Sequence, residues 1–233
     1  MDFDFTPYFE KYEALVSKAD GAFERVKQAH AQCVKCEGKC ADCCFALFDL
    51  TLIEALYINH KFNEKVKGSA KAGLLEKANQ ADRKINKLKR KAYKDLQAGK
   101  SEDEILAELA RERVRCPLLN ETDLCDLYDN RPLTCRFYGI PTAIGGKGHT
   151  CGKSGFEEGE QYPTVNLDAV NSQLQQISAE LIRDLKSRYL KLADMLVPLS
   201  MALLTTYDDE FFGIAEEKPP ERSSRKKHRR RTI

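Results

Sequence analysis

The chain has 233 residues, nine of them cysteine, with 42% apolar content and a formal charge of +2. That is enough apolar material for one large core or two small ones, so disulfide staples are not needed to hold the fold together. No apolar run is long enough to span a bilayer. The opening MDFDFTPYFEKY carries acids where a secretory leader carries bases, and no apolar run follows it. A cytoplasmic protein with reduced thiols is therefore expected, and an odd number of cysteines argues further against a complete disulfide framework.

In chain order, the first element is a helix. Thr6 and Pro7 supply a capping residue followed by proline at the first helical position. Phe9, Tyr12, Val16, Phe23 and Val26 then recur at helical spacing up to the first cysteines. Gly21 weakens this helix without ending it. After the cysteines, Thr51 and Glu54 predict a capping box that opens LIEALYINHKF. A second apolar stripe runs through Leu74, Ala78, Ala81, Ile85, Leu88, Ala92 and Leu96, and Gly99 closes it. Ser101 and Glu104 predict another capping box, for a helix reaching towards Val114. Lysines and arginines crowd 84–94, but Ile85, Leu88 and Ala92 fill the other face, so the run reads as the solvated side of an amphipathic helix.

Between Cys116 and Pro163 the pattern changes. Four prolines and seven glycines mark an irregular region, with a short extended piece expected at RFYGIP. Helical spacing returns at Val170, Leu174, Ile177, Leu181, Leu185, Tyr189, Leu192 and Leu196, predicting a long C-terminal helix that Pro198 kinks or ends. No run alternates with period two for long enough to suggest a sheet. The expected fold is mainly α: a single helical domain over 1–217, interrupted by two cysteine-rich metal-binding loops. From Lys218 to Ile233 there are eight basic residues and one acid, a segment expected to be disordered. Its charge suits contact with nucleic acid or another acidic surface, while the rest of the chain is net acidic.

The cysteines carry the chemistry. CVKCEGKCADCC places Cys33, Cys36, Cys40, Cys43 and Cys44 within twelve residues. Gaps of two or three residues let a turning backbone aim successive sulfurs at one centre. Adjacent cysteines tend to aim in different directions, so Cys43 and Cys44 can serve different centres or different sides of one. Cys116, Cys125, Cys135 and Cys151 form a spread second group in the Pro/Gly-rich region. Spacing does not decide whether the two groups of cysteines form separate sites or share ligands. Four thiolates around zinc or around an oxidised four-iron cluster leave about two negative charges. Lys35, Lys39, Arg115, Arg131 and Arg136 lie beside the cysteines and can offset them. An isolated cysteine would read as a small buried hydrophobe, but five so close together do not. His149 is a possible nitrogen ligand, although an exposed loop position is the plainer reading.

The first motif, followed by CPLLNETDLCDLYDNRPLTCRFYG, resembles the zinc- or iron-chelating cysteine-cluster family, the YkgJ-like or CxxCxxCC domain. The downstream match rests on Cys116, Pro117, Leu119, Cys125, Tyr128, Arg131, Pro132, Cys135 and Arg136. Upstream, Cys40, Cys43 and Cys44 fit the shorter family pattern. The gap from Cys36 to Cys40 is one residue longer than that pattern, and Cys33 is additional. The resemblance implies metal chelation, with all nine cysteines as candidate ligands. Arg131, Arg136 and Tyr128 stand as candidate cofactor-binding side chains. Arg131 suits a carboxylate or the metal site, and Tyr128 can pack its ring and share its hydroxyl. Maintenance of the loop is the competing role for each.

Three functions follow. One is an iron–sulfur protein, with a four-iron cluster in a redox or supporting role; the second is a structural zinc protein. The third is an enzyme resembling the related flagellin lysine methylases, which carry a similar motif. Cys36-x3-Cys40-x2-Cys43 also matches radical S-adenosylmethionine spacing, but Asp42 replaces the usual aromatic residue and strand–helix alternation is missing. No phosphate-loop or dinucleotide-binding glycine pattern is present. The sequence leaves iron–sulfur favoured over zinc, because vicinal cysteines and unequal gaps suit a bulky cluster better than zinc knuckles.

Overall fold

The structure is a computed structural model that describes residues 3–214; the basic segment 218–233 lies outside them. It is mainly α, with eight α-helices among the described residues. The first three are α1 (Thr6–Ala29), α2 (Leu52–Lys65) and α3 (Gly68–Gln97). Then come α4 (Glu102–Leu109), α5 (Leu133–Phe137), α6 (Leu167–Asp184), α7 (Leu199–Leu204) and α8 (Asp209–Phe212). None is long and apolar enough to cross a membrane.

The fold is organised around α2. Every residue from Leu52 to Asn59 is buried, so this helix is packed on all sides rather than along one stripe. One side joins α1 and α6 in a core containing Tyr12, Ile53, Leu56, Leu181 and Phe212. The other side joins α3 and α7 through Ile58, Phe62, Ala78 and Leu203. The buried first half of this helix must satisfy its end groups internally. The predicted capping box between Thr51 and Glu54 is formed. Ser178 of α6 accepts from the Ile53 amide at 3.2 Å and returns its proton to the Leu174 carbonyl at 2.9 Å. Asn59 donates to the carbonyls of Ala202 at 2.9 Å and Thr205 at 3.1 Å, closing the end of α7.

α1 has proline in its first turn, as the sequence predicts, but it starts one residue early: Phe5 is the capping position and Thr6, expected to cap, is the first helical residue. α3 follows the second stripe, and its basic run is solvent-facing. Lys89 pairs with Asp49 at 2.7 Å and Lys91 with Glu108 of α4 at 3.1 Å.

Three further expectations are corrected. α4 stops at Leu109 rather than reaching Val114, because the backbone of Val114 is held by the first cysteine loop. RFYGIP is not simply extended: Arg136 and Phe137 finish α5. The long C-terminal helix ends at Asp184, so Tyr189, Leu192 and Leu196 are not on it. Lys186 adopts a left-handed conformation, φ 53°, and the Ser187 amide closes onto the Ile182 carbonyl. The apolar residues beyond form a short 3-10 turn over Leu190–Asp194 and then a strand. Pro198 caps the start of α7 rather than ending a helix.

Two small sheets are also present. β1 (Asp49–Thr51) pairs antiparallel with β5 (Leu196–Pro198), Leu50 opposite Val197. β2 (Thr142–Ile144) pairs antiparallel with β3 (Lys147–His149) and parallel with β4 (Val165–Asn166). Gly145 and Gly146 turn the β2–β3 hairpin, both with positive φ. Strands of two or three residues are too short for period-two alternation to be legible in sequence.

Candidate metal centre

The first cysteine loop runs from the end of α1 to β1. Tight turns shape it: the Cys33 amide bonds to His30 O, Cys40 to Glu37 O and Cys44 to Ala41 O. Lys39 takes a left-handed φ of 71° within the second turn, and Asp42–Phe45 forms a 3-10 turn. The second loop is stitched to the first by backbone. Val114 N donates to Phe45 O at 3.1 Å, and Cys116 N donates to Cys44 O at 2.7 Å. The chain then turns back between Leu119 and Cys125, with Asn120 accepting from the amides of Thr122 and Leu124. This turn returns Cys125 towards Cys116. Pro132 starts α5, which carries Cys135, and the Leu133 amide donates to the buried Glu54 carboxylate at 3.1 Å.

Cys43, Cys44, Cys116, Cys125 and Cys135 consequently line one cleft with about 60 Å³ of free volume. Phe48, Ile85 and Leu199 form an apolar wall, and Arg115 and Arg131 are the cleft's cationic residues. Burial pushes the Cys116 thiol up to about 12 and raises Cys125. Burial also drives Cys135 well above the ordinary thiol range, reinforced by the charge of Cys43. The vicinal thiols perturb one another: Cys44 beside it makes Cys43 the more acidic, and Cys43 in turn makes Cys44 the less. Against this desolvation, amide N–H groups are aimed at sulfur. Cys116 receives those of Leu118 and Leu119, and Cys125 that of Leu127. Such amides favour thiolate and fix the direction of its lone pairs.

Among the described residues, no three or more Cys, His, Asp and Glu side chains are grouped closely enough to hold a metal ion as they stand. The donor chemistry fits a thiophilic group, since cysteines are the only Cys, His, Asp or Glu residues lining the cleft and it has space for several water-sized bodies. The family model described as "Putative zinc- or iron-chelating domain" matches residues 35–152, half of the chain. The chain belongs to that family. No curated protein and no solved structure matches it. The matched span includes eight of the nine cysteines and begins after Cys33.

Cys33 is set apart in the structure as well. It is buried in the hydrophobic core beside Val34 and Phe156, and its backbone abuts Gly155. Cys36, Cys40 and Cys151 do not line the cleft. Burial pushes Cys36 up to about 11, and the fields of Cys40, Cys151 and Cys43 add to it. Its thiol donates to the Tyr138 carbonyl at 3.4 Å. The Cys151 thiol lies 3.9 Å from Asp42 Oδ2 and accepts from the Lys153 amide at 3.4 Å. His149 is exposed and borders a separate cavity with Cys151, without being drawn to the cleft.

The three candidate cofactor-binding side chains separate in the same way. Arg131 lines the cleft, with its guanidinium 4.1 Å above the Tyr128 ring. Tyr128 is exposed and supports Arg131 from below. Arg136 is buried and turned away: it grips Asp20 of α1 at 2.8 and 2.6 Å and the carbonyls of Arg131 and Asp129. It organises the turn leading to Cys135.

Sequence reading gives Asp42 no role beyond its departure from the radical S-adenosylmethionine pattern, and passes over Tyr138 and Gly139. Although burial opposes it, the Tyr138 hydroxyl and Arg113 hold the Asp42 carboxyl below its usual range. Gly139, φ 103°, lies where a Cβ would sit 2.2 Å from Cys36 Sγ. The available signals were an acid flanked by cysteines and a glycine in the Pro/Gly-rich stretch.

Proposed function

We propose that this chain binds an iron–sulfur cluster in the cleft of Cys44, Cys116, Cys125 and Cys135, with Cys43 adjoining, and that the cluster serves a redox or supporting role. The observation that carries this is a thiol-lined cleft with about 60 Å³ of free volume. A single zinc ion closed by four thiolates needs no such space, whereas a cluster is several atoms wide. When bound, the cluster would supply electron-accepting iron held by sulfur. The chain's own residues set its surroundings: amides at Leu118 and Leu127 support the thiolates, and Arg131 offsets their charge. The apolar wall of Phe48, Ile85 and Leu199 limits water. Nine free thiols suit a reducing compartment, so the reading places the protein in the cytoplasm.

The test is anaerobic loading of the full chain with ferrous iron and sulfide, followed by metal and sulfide analysis and a visible spectrum. Equal iron and acid-labile sulfide with broad visible absorption is expected. A colourless protein that takes up stoichiometric zinc and no iron would overturn the reading in favour of structural zinc.

A further inference from the structure

The thiols within the family span divide around α5. Cys135 faces the cleft, while Thr134, Phe137 and Tyr138 border the cavity that includes Cys151. On that second side a chain of contacts joins three segments. Cys36 donates to Tyr138 O at 3.4 Å, and the Tyr138 hydroxyl donates to Asp42 Oδ2 at 3.0 Å. The Cys151 thiol is 3.9 Å from that same oxygen. Cys40 follows the left-handed turn at Lys39, its amide bonded back to the Glu37 carbonyl at 3.0 Å.

Cys151 is also built like the cleft thiols. It receives the amide two residues ahead, from Lys153, as Cys116 does from Leu118 and Cys125 from Leu127. The missing side chain at Gly139 leaves the room that Cys36 Sγ occupies. Cys40, Cys151 and Cys43 are the thiols whose charge is felt at Cys36, and Lys27 is the nearby cation that opposes them. Arg113 and Lys153, at 2.7 and 3.7 Å from Asp42, bring two further positive charges to this side.

We propose that Cys36, Cys40, Cys43 and Cys151 form a second thiolate-bound metal centre, an iron–sulfur cluster separate from the one held by Cys44, Cys116, Cys125 and Cys135. The vicinal pair then straddles the two, Cys43 serving one and Cys44 the other, across a single peptide bond. Cys33 takes no part. Asp42 and Tyr138 are positioning residues that hold the segments of Cys36 and Cys151 together.

This inference rests on the cluster reading above, and stoichiometry separates the two. The full chain, loaded anaerobically with ferrous iron and sulfide, should hold about eight iron atoms, against about four for one centre. The double variant Cys36→Ser/Cys151→Ser should keep half of that iron, and Cys116→Ser/Cys135→Ser should keep the other half. Cys33→Ser should keep all of it. Circular dichroism confirms that each variant is folded, and the wild-type count stands even if a variant is not. A wild-type count of about four overturns the second centre and leaves the first. So does full iron in the Cys36/Cys151 variant. If the protein takes only zinc, the iron reading falls. Two zinc ions dropping to one in each double variant would then still support the division, and a single ion would overturn it.

Discussion

Arg136 offers the sharpest test of how the fold holds the thiols. Its guanidinium is 5% exposed and makes four charge-assisted hydrogen bonds, two to Asp20 and one each to the carbonyls of Arg131 and Asp129. Arg136→Met keeps the packing volume but removes every one of them. Asp20 is 46% exposed, so its carboxylate turns to water at little cost. The two carbonyls are left without that donor, at about 1–3 kcal/mol each. The expected loss is therefore about 3 kcal/mol, at the lower edge of the range for breaking a fully buried pair. Arg136→Lys, which keeps charge but not the fork, should fall between. Urea unfolding of the metal-free protein measures this directly. Because the freed carbonyls shape the turn into Cys135, metal-loaded protein should also release its metal faster. A stability within about 0.5 kcal/mol of wild type, with unchanged metal release, would refute the claim that Arg136 organises the cysteine turn.

Three further outcomes follow from the same geometry. Gly139→Ala places a methyl 2.2 Å from Cys36 Sγ at a φ of 103°; it should cost about 1–3 kcal/mol and halve the metal content, and unchanged metal content would count against the crowding. In the metal-free protein burial pushes the Cys116 thiol up from the ordinary value of 9.0 to about 12. The unfolded chain then releases that proton first, so stability should fall as pH rises above 9, by about 1.4 kcal/mol per pH unit for each such thiol. Urea midpoints at pH 8, 9 and 10 check this; the buried tyrosines, raised from an ordinary value of 10.0, add to the fall at the last point, so the step from pH 8 to 9 carries the test, and a flat profile there would show that the thiols are not desolvated. Glu54→Gln should weaken metal retention as well as stability, because its carboxylate accepts from both Thr51 and the Leu133 amide that starts the Cys135 helix. Loss of stability with wild-type metal release would confine Glu54 to capping α2.

The parts of this fold that were legible in sequence are those set by neighbours a few residues apart. Thr51 with Glu54 and Ser101 with Glu104 are both formed capping boxes, since the partners lie three residues apart and nothing distant is required. The end of α6 was not legible, because Lys186 enters the left-handed region without a glycine to announce it. The apolar spacing therefore reads on through Tyr189 and Leu192. Glu54 illustrates the boundary within one residue: its cap on Thr51 is local, and its bond to Leu133 spans 79 positions.

The same boundary decides what could be known of the metal site. The motif identifies sulfur as the donor, but the partition of sulfurs depends on backbone contacts that any residue can make. Val114 to Phe45 and Cys116 to Cys44 use only amides and carbonyls, so no side-chain pattern encodes them. Those two bonds bring the second loop against Cys44 at one end of the 3-10 turn. Asp42, at the other end, reaches Tyr138 and Cys151 instead. A turn of four residues thus reaches two sets of contacts, although both of its cysteines line the cleft, and this asymmetry is what the proposed division of Cys43 from Cys44 rests on.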